Sequence, residues 1–299
     1  MKYVHFSYQQ QPQIGIALDD VIVPMSALQR FASSSLSLPV IIDDLWSQPE
    51  LHTQIQHILE QHTTELMNQA IAEQDIEWLP IVPNPGKVIC IGLNYRRHAE
   101  ETNAPIPQTP VVFSKFSDAV AGHLQSVPLP QSSTQVDYEA ELCIVIGKQA
   151  SGVSTEDALD YVFGYCAAND VSARDLQMLT SQWLLGKTCP RFAPIGPYLV
   201  TADEVGDPNQ LQISAYLNGE QVQHSNTSDM IFDCRYIIHY LSQHMVLHPG
   251  DIILTGTPEG VILGQPEQDR VWLTSGDQVT IEIEKLGRLS NTFVSAEQH

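Results

Sequence analysis

The run Val136-Asp137-Tyr138-Glu139-Ala140-Glu141-Leu142-Cys143-Ile144-Val145-Ile146 sets two glutamates, one residue apart, at the head of a segment that is apolar thereafter. A β-strand sends successive side chains to opposite faces, so Glu139 and Glu141 point the same way. Cys143 and Val145 continue that face, while Tyr138, Ala140, Leu142, Ile144 and Ile146 occupy the other. Such a strand is expected to be covered on both sides, and the fold must supply that cover. It must also supply partners for the carboxylates at the strand's mouth. Downstream, Ala168-Asn169-Asp170-Val171-Ser172 delivers a third carboxylate at the exit of another apolar stretch.

Clustered carboxylates force one another to protonate unless a cation joins them. An all-oxygen set suits Mg²⁺, Mn²⁺ or Ca²⁺ rather than zinc. Three protein oxygens in an octahedral shell leave about three positions for water or a chelating substrate, which is a catalytic arrangement rather than a structural one. Alone, a Glu-x-Glu pair reads as a solvated strand face. The buried character of this strand and the residues described below favour the metal reading of Glu139, Glu141 and Asp170.

With 299 residues the chain has material for one large domain or two unequal ones. A formal net charge of -21 argues against binding to nucleic acid or to an anionic membrane, both of which require basic surface. The same charge repels an anionic ligand at long range, so an anion site must carry its own local cations. Cys90, Cys143, Cys166, Cys189 and Cys234 are odd in number, widely spaced and without a C-x-x-C pair, and read as reduced residues of an intracellular protein. The start, Met1-Lys2-Tyr3-Val4-His5, lacks the apolar h-region of a signal peptide, and a cytoplasmic location is expected.

Residues 1–82 read as a small α+β domain, with short strands from Tyr3 to Tyr8, Gln13 to Ala17 and Val21 to Pro24. A helix is expected from about Pro49 to Glu73, where Leu51, Ile55, Ile58, Leu59, Leu66 and Met67 recur near helical spacing. Pro80, Pro83, Pro85 and Gly86 break the chain there, and residues 83–299 form the second, β-rich domain. In it, Val88 to Gly92 reads as a buried strand and Asn94 to Thr102 as a short helix. Ser154, with Asp157 three residues on, predicts a capped helix over Thr155 to Val162. Asn218-Gly219 predicts a tight hairpin, and the apolar side of Asp229 to Ser242 predicts an amphipathic helix. Many strands with few helices between them give a mixed α+β, β-rich class rather than a βαβ repeat.

Asn94-Tyr95-Arg96-Arg97-His98-Ala99-Glu100-Glu101 is the second informative stretch. On a helix His98 and Glu101 share a side, so the carboxylate can orient the imidazole and stabilise its protonated form, which suits a general base. Asp170, Arg174 and Gln177 fall at i, i+4 and i+7, and a plain Asp170–Arg174 ion pair is the simpler account of the first two. Ser172 is placed to cap that helix. Lys187, in Gly186-Lys187-Thr188, is the remaining candidate cation. Thr255-Gly256-Thr257-Pro258-Glu259-Gly260-Val261 sets glycines beside a strand end, where backbone amides can approach a carboxylate.

From about Lys87 to Asn291 the chain resembles the fumarylacetoacetate hydrolase family. The resemblance rests on Asp137-Tyr138-Glu139-x-Glu141-Leu142, Asn169-Asp170-Val171-Ser172-Ala173-Arg174-Asp175, Gly186-Lys187, Pro194-Ile195-Gly196-Pro197, Asn218-Gly219-Glu220, Pro249-Gly250-Asp251 and Thr255-Gly256-Thr257-Pro258-x-Gly260-Val261, all in the family's order. It implies a mixed β-roll in which Glu139, Glu141 and Asp170 bind Mg²⁺ or Mn²⁺, and a homodimer. It also implies a His-x-x-Glu lid at His98 and Glu101 that orders with substrate, and substrate contacts from Arg174, Gln177, Lys187 and Thr257. Lys187-Thr188-Cys189-Pro190 departs from the Lys-Ser-Phe-Asp run of many relatives. Ile91 stands where the longer eukaryotic fumarylacetoacetases carry a further metal-binding aspartate. The chain thus resembles the smaller acylpyruvase and decarboxylase branch, whose substrates are 2-oxo acids.

The expected activity is divalent-metal-dependent hydrolysis of a carbon-carbon bond in a β-diketo acid such as an acylpyruvate, through an enolate. His98, held by Glu101, would activate water, and Lys187 would stabilise the developing oxyanion or position the substrate carboxylate. The alternatives are an oxaloacetate-type decarboxylase or a 2-oxo acid isomerase using the same site, and a noncatalytic 2-oxo acid binding protein.

Overall fold

The computed structural model describes residues 1–46, 51–102 and 105–296. The strand Ala140–Ile146 runs antiparallel to Val162–Asn169 on one side and to Ile252–Leu254 on the other. Val88–Gly92 lies parallel to Ile252–Leu254, and Ala193–Thr201 joins the outer side of Val162–Asn169. These strands form the centre of a twelve-stranded mixed sheet. A second sheet of five strands is built on the hairpin Gln212–Leu217 and Glu220–Asn226, whose turn places Asn218 and Gly219 at φ 52° and 87° as its Asn-Gly sequence predicts.

Every residue of Ala140–Ile146 is buried, and two different sets of side chains cover it. Leu142, Ile144 and Ile146 pack with Ile213, Ala215, Val279 and Ile281 of the smaller sheet and with Ile237, Ile238 and Leu241 of the helix Cys234–His244. On the opposite face Cys143 and Val145 pack in one cluster with Leu28, Leu45, Trp46, Leu51 and Ile55 from the first 82 residues. That first segment also enters the large sheet directly, since Lys2–Tyr8 pairs with Ala193–Thr201 at Lys2↔Val200 and Tyr3↔Leu199. No helix among the described residues is long and apolar enough to cross a membrane.

Several local expectations are corrected. The start expected at Pro49 lies outside the described residues, and the remainder of that helix is two shorter ones, Leu51–Gln61 and Thr63–Met67. The break falls at His62, φ -125°, whose ring stacks on Phe31 with 4.3 Å between centroids. Ile71 leaves the helix altogether and pairs with Ile22. The Asp157 amide donates to the Ser154 hydroxyl (3.2 Å) as the cap requires and that hydroxyl bonds to the Asp157 carboxylate (2.9 Å), yet only a 3₁₀ turn, Ala158–Tyr161, follows, because Val162 is drawn into the sheet opposite Ile146. Ser172 does not cap a helix. It pairs with Asp137 across a two-stranded ladder and donates its hydroxyl to the Asp170 carbonyl, while the helix Arg174–Gln177 is a single turn that excludes Asp170.

One half-buried histidine ties stability to pH. Burial pulls the imidazole of His123 down from its ordinary 6.5 to about 4. Its Nδ1 accepts from the Ser290 amide (3.0 Å), and its ring stands edge-on to Trp78 at 5.0 Å, so it is held neutral. The unfolded chain takes up this proton near pH 6.5, hence the stabilisation is complete above that pH and is lost as pH falls toward 4. The loss over that window is about 3 kcal/mol. His123→Gln keeps an acceptor but cannot titrate, and should flatten the acid limb of Tm against pH. An unchanged acid limb in the variant would remove His123 from the account.

Candidate metal centre

The three carboxylates predicted from sequence converge. One ligand oxygen from each of Glu139, Glu141 and Asp170 lies within 4.8 Å of the others, and the residues are 5%, 2% and 0% exposed. Two neighbouring strand ends bring them together. Asn169 pairs with Ala140, its side-chain oxygen accepts from the Glu139 amide (3.0 Å), and the Asp170 amide donates to the Glu139 carbonyl (2.9 Å). The Glu-x-Glu of one strand and the Asn-Asp of its partner are thereby fixed at the same edge of the sheet.

Three buried cations face this cluster. Lys187 Nζ bridges Glu139 Oε2 and Asp170 Oδ2 at 2.7 and 3.0 Å. Lys115 Nζ pairs with Asp170 Oδ1 at 2.5 Å and donates to the carbonyls of Val171 and Phe192. Arg174 gives Nη2 to Glu139 Oε1 (2.7 Å) and to Asp137 Oδ2 (2.8 Å), Nε to Asp137 Oδ2 (2.9 Å) and Nη1 to Gln177 Oε1 (3.0 Å). Burial would raise the Glu139 carboxyl, but Lys187 and Arg174 outweigh it and hold that group below the usual carboxylate range.

Glu141 is the exception. Its partner is the Gly256 amide, which donates to Oε2 at 2.8 Å, and no ion pair reaches it among the described residues. Burial first, then the charges of Asp170 and Glu139, push its carboxyl well above the ordinary range. Asp137, Glu139, Glu141 and Asp170 stand against Lys115, Arg174 and Lys187, so the cluster is short of positive charge at Glu141. A hard divalent cation fits: the donors are all oxygen, they lie within reach of one ion, and the carboxylate without a cation partner would gain one.

The turn that serves Glu141 must be glycine. Gly256 has φ 101°, and a Cβ there would stand 2.7 Å from Asn94 Cβ and 2.9 Å from the Ile91 carbonyl. Asn94 holds that turn, donating to the Thr255 and Phe232 carbonyls (2.7 and 3.0 Å) and accepting from the Phe232 amide.

A cavity of about 640 Å³ opens on the carboxylates. Its wall includes His98, Glu101, Glu139, Glu141, Arg174, Gln177, Lys187 and Thr257, with Ile91, Leu93, Phe113, Met178, Trp183 and Leu263 supplying apolar surface. Asp170 is fully buried behind that wall. His98 and Glu101 share the short helix Arg96–Glu101 as expected, with Nδ1 3.3 Å from Glu101 Oε2. The other oxygen of Glu101 accepts from the Gly260 amide at 3.0 Å, so Nδ1–H faces a fixed acceptor and Nε2 carries the remaining lone pair. Thr257 accepts from Gln223 Nε2 (3.0 Å), and the same amide holds the carbonyls of Pro258 and Glu259.

Two residues of this framework were not singled out from sequence. Asp137 shares the face of Glu139 and Glu141 by alternation, which was the available signal. It anchors Arg174 and accepts the amides of Tyr138, Ile262 and Leu263. Lys115, at the end of Val111–Lys115, comes from a distant strand and carries no local signal.

The family profile of the fumarylacetoacetate (FAA) hydrolase C-terminal region matches residues 87–294. A mitochondrial oxaloacetate tautomerase of Rattus norvegicus is 47% identical over 225 residues, which cover 75% of this chain and 71% of the relative. Among solved structures, maleylpyruvate hydrolase from Sphingobium sp. SYK-6 in complex with manganese(II) and pyruvate is 29% identical, with a TM-score of 0.79 over 99% of each chain. The 2-hydroxyhepta-2,4-diene-1,7-dioate isomerase of Mycobacterium marinum is 30% identical with a TM-score of 0.74, again over 99% of each chain.

These findings overturn the expected cytoplasmic location, since the rat, bovine and human relatives are all named mitochondrial. The physical reason is plain: an apolar h-region marks secretion and says nothing of mitochondrial import, which reads amphipathic segments. The matched stretch contains every carboxylate and cation of the centre, and the likeness in structure, a mixed strand-rich fold, runs the length of the molecule. The chain therefore belongs to the fumarylacetoacetate hydrolase family.

Proposed function

We propose that the protein is a divalent-metal-dependent tautomerase of 2-oxo acids, with oxaloacetate as its foremost substrate. The observation that carries this reading is a histidine oriented by a fixed carboxylate in the wall of the same cavity as Glu139 and Glu141. Glu139, Glu141 and Asp170 would hold a divalent ion, which when bound would supply a Lewis acid for a 2-oxo group and make the adjoining carbon more acidic. His98 takes the proton from that carbon through Nε2, and Glu101 stabilises the imidazolium. Lys187, placed by Glu139 and Asp170, donates to the oxygen that gains charge. Return of the proton from His98 to that oxygen completes the enol, and the reverse sequence restores the ketone with no atom gained or lost. The rat relative's name supports this reading, and the manganese and pyruvate of the Sphingobium enzyme support Mn²⁺ or Mg²⁺ as the ion.

Hydrolysis of a β-diketo acid is the second reading, favoured by a cavity with room beyond a four-carbon acid and by the likeness to a maleylpyruvate hydrolase. It requires His98 to activate water instead. A homodimer belongs to the same proposal: Val112, Phe116, Met178, Leu179 and Leu185 are 40 to 66% exposed on adjoining elements, an apolar surface suited to a second copy.

The test follows keto–enol interconversion of oxaloacetate with Mg²⁺ or Mn²⁺, together with carbon dioxide release and acetylpyruvate cleavage, in one preparation whose mass is measured by light scattering. Acceleration of the first reaction is expected, with His98→Ala slower by about 10²- to 10⁴-fold and metal affinity retained. Acetylpyruvate cleavage without interconversion favours the second reading, and carbon dioxide release from oxaloacetate favours decarboxylation. Full activity in His98→Ala removes the assigned base.

A further inference from the structure

Among the described residues, the cavity contains one cation whose donors are largely uncommitted. Lys187 is held by Glu139 and Asp170, and Arg174 spends its guanidinium on Asp137, Glu139 and Gln177. Arg270 also lines the cavity, half-buried, and among the described residues its one side-chain bond runs from Nε to the Gln265 carbonyl at 2.9 Å. Both of its Nη groups are without a partner among the described residues. Glu267 and Asp269 stand beside it in sequence, yet neither forms an ion pair with it.

The segment bearing Arg270 is an arch pinned at both feet to one strand. At one end the Ile262 and Leu263 amides donate to the Asp137 carboxylate (2.9 and 3.0 Å), and at the other the Leu273 amide donates to the Val136 carbonyl (3.0 Å). Between them, Gln265 bonds back to Ile262 (3.1 Å) and Asp269 to Pro266 (2.8 Å). At Gly264 the arch presses so close to Glu101 that a Cβ would come within 2.3 Å of its carboxyl carbon. The arch is thus fixed to the carboxylate that orders Arg174 and packed against the one that orders His98. Nε is tied back, and the two-nitrogen edge that matches a carboxylate is left for another group.

We propose that Arg270 receives the distal carboxylate of the substrate, so that the cavity selects 2-oxo diacids over 2-oxo monoacids. This rests on the reading of the cavity as a 2-oxo acid site. A net charge of -21 repels a dianion at long range, so its second carboxylate needs a cation of its own. A merely solvated arginine would show no preference between the two acid classes.

The test uses the Mn²⁺-loaded full chain and two four-carbon probes, oxaloacetate and 2-oxobutanoate, which differ in having a carboxylate or a methyl group at the far end. Binding is followed at low temperature by tryptophan fluorescence, Trp183 lying in the cavity wall. Arg270→Gln should weaken oxaloacetate binding about 10- to 100-fold and change 2-oxobutanoate binding less than about threefold, with Arg270→Lys between. In turnover the loss should fall on KM and leave kcat nearly unchanged. Equal weakening of both probes would show that the arch has merely collapsed, and unchanged oxaloacetate binding would show that Arg270 reads nothing; either overturns the proposal. Because the two binding constants are read without turnover, absence of oxaloacetate tautomerisation sinks the proposed activity alone. Failure of both probes to bind sinks both.

Discussion

Glu141→Ala should lower kcat/KM by about 10³-fold or more and abolish tight binding of Mg²⁺ or Mn²⁺, since an ion acting as Lewis acid contributes several kcal/mol to such a reaction. Glu139 and Asp170 keep Lys187, Lys115 and Arg174 in the variant and are neutralised without an ion. Glu141 has no such cation, so it is the carboxylate whose removal most weakens the demand for one. The fold should not suffer. Burial already disfavours the Glu141 charge, and relief of that charge offsets the acceptor lost by the Gly256 amide, so the metal-free variant should melt near the temperature of the metal-free parent. Titration calorimetry with the metal and a thermal melt separate the two effects. Retained metal affinity, or a large fall in Tm, would show that Glu141 serves the fold and not an ion.

Asp137→Ala is expected to act in the opposite sense, on stability first. The carboxylate is 0% exposed and accepts from Arg174 and from the amides of Tyr138, Ile262 and Leu263. Its loss leaves a buried guanidinium with one carboxylate instead of two and strands three amides, a change worth about 3 to 5 kcal/mol. A fall in Tm on the order of 10 °C follows for a chain of this size. Asp137→Asn keeps the shape and part of the bonding and should lose less. The arch carrying Arg270 loses a foot in either variant, so oxaloacetate binding should weaken along with stability. A melt within 2 °C of the parent's, an allowance of roughly 1 kcal/mol, would refute the role given to Asp137.

Much of the centre was legible because its information is local. Alternation alone puts Glu139 and Glu141 on one face, and the i, i+3 spacing alone lets Glu101 reach His98. The Asn218-Gly219 turn needs only the backbone freedom of its own two residues. Where the reading failed, a non-local contact outweighed a local preference. Ser154 accepts the Asp157 amide as a cap would, yet the chain turns into the sheet because Ile146 offers Val162 a pairing. Arg174 stands four residues from Asp170, but Asp137 and Glu139 hold it instead.

The order of residues by itself determined that a doubly apolar strand would carry carboxylates at its mouth, and that oxygen ligands would favour a hard ion there. Only the tertiary structure decided which cations answer which carboxylate. Lys115, Lys187 and Arg174 reach the cluster from separate elements, and Glu141 is left without one. Tertiary structure also decided that the first 82 residues bury the Cys143 and Val145 face of that strand. The reason is one of range: backbone periodicity acts over a few residues and can be read along the chain. Charge pairing and burial depend on distances in space, which are set once the sheets have closed around the site.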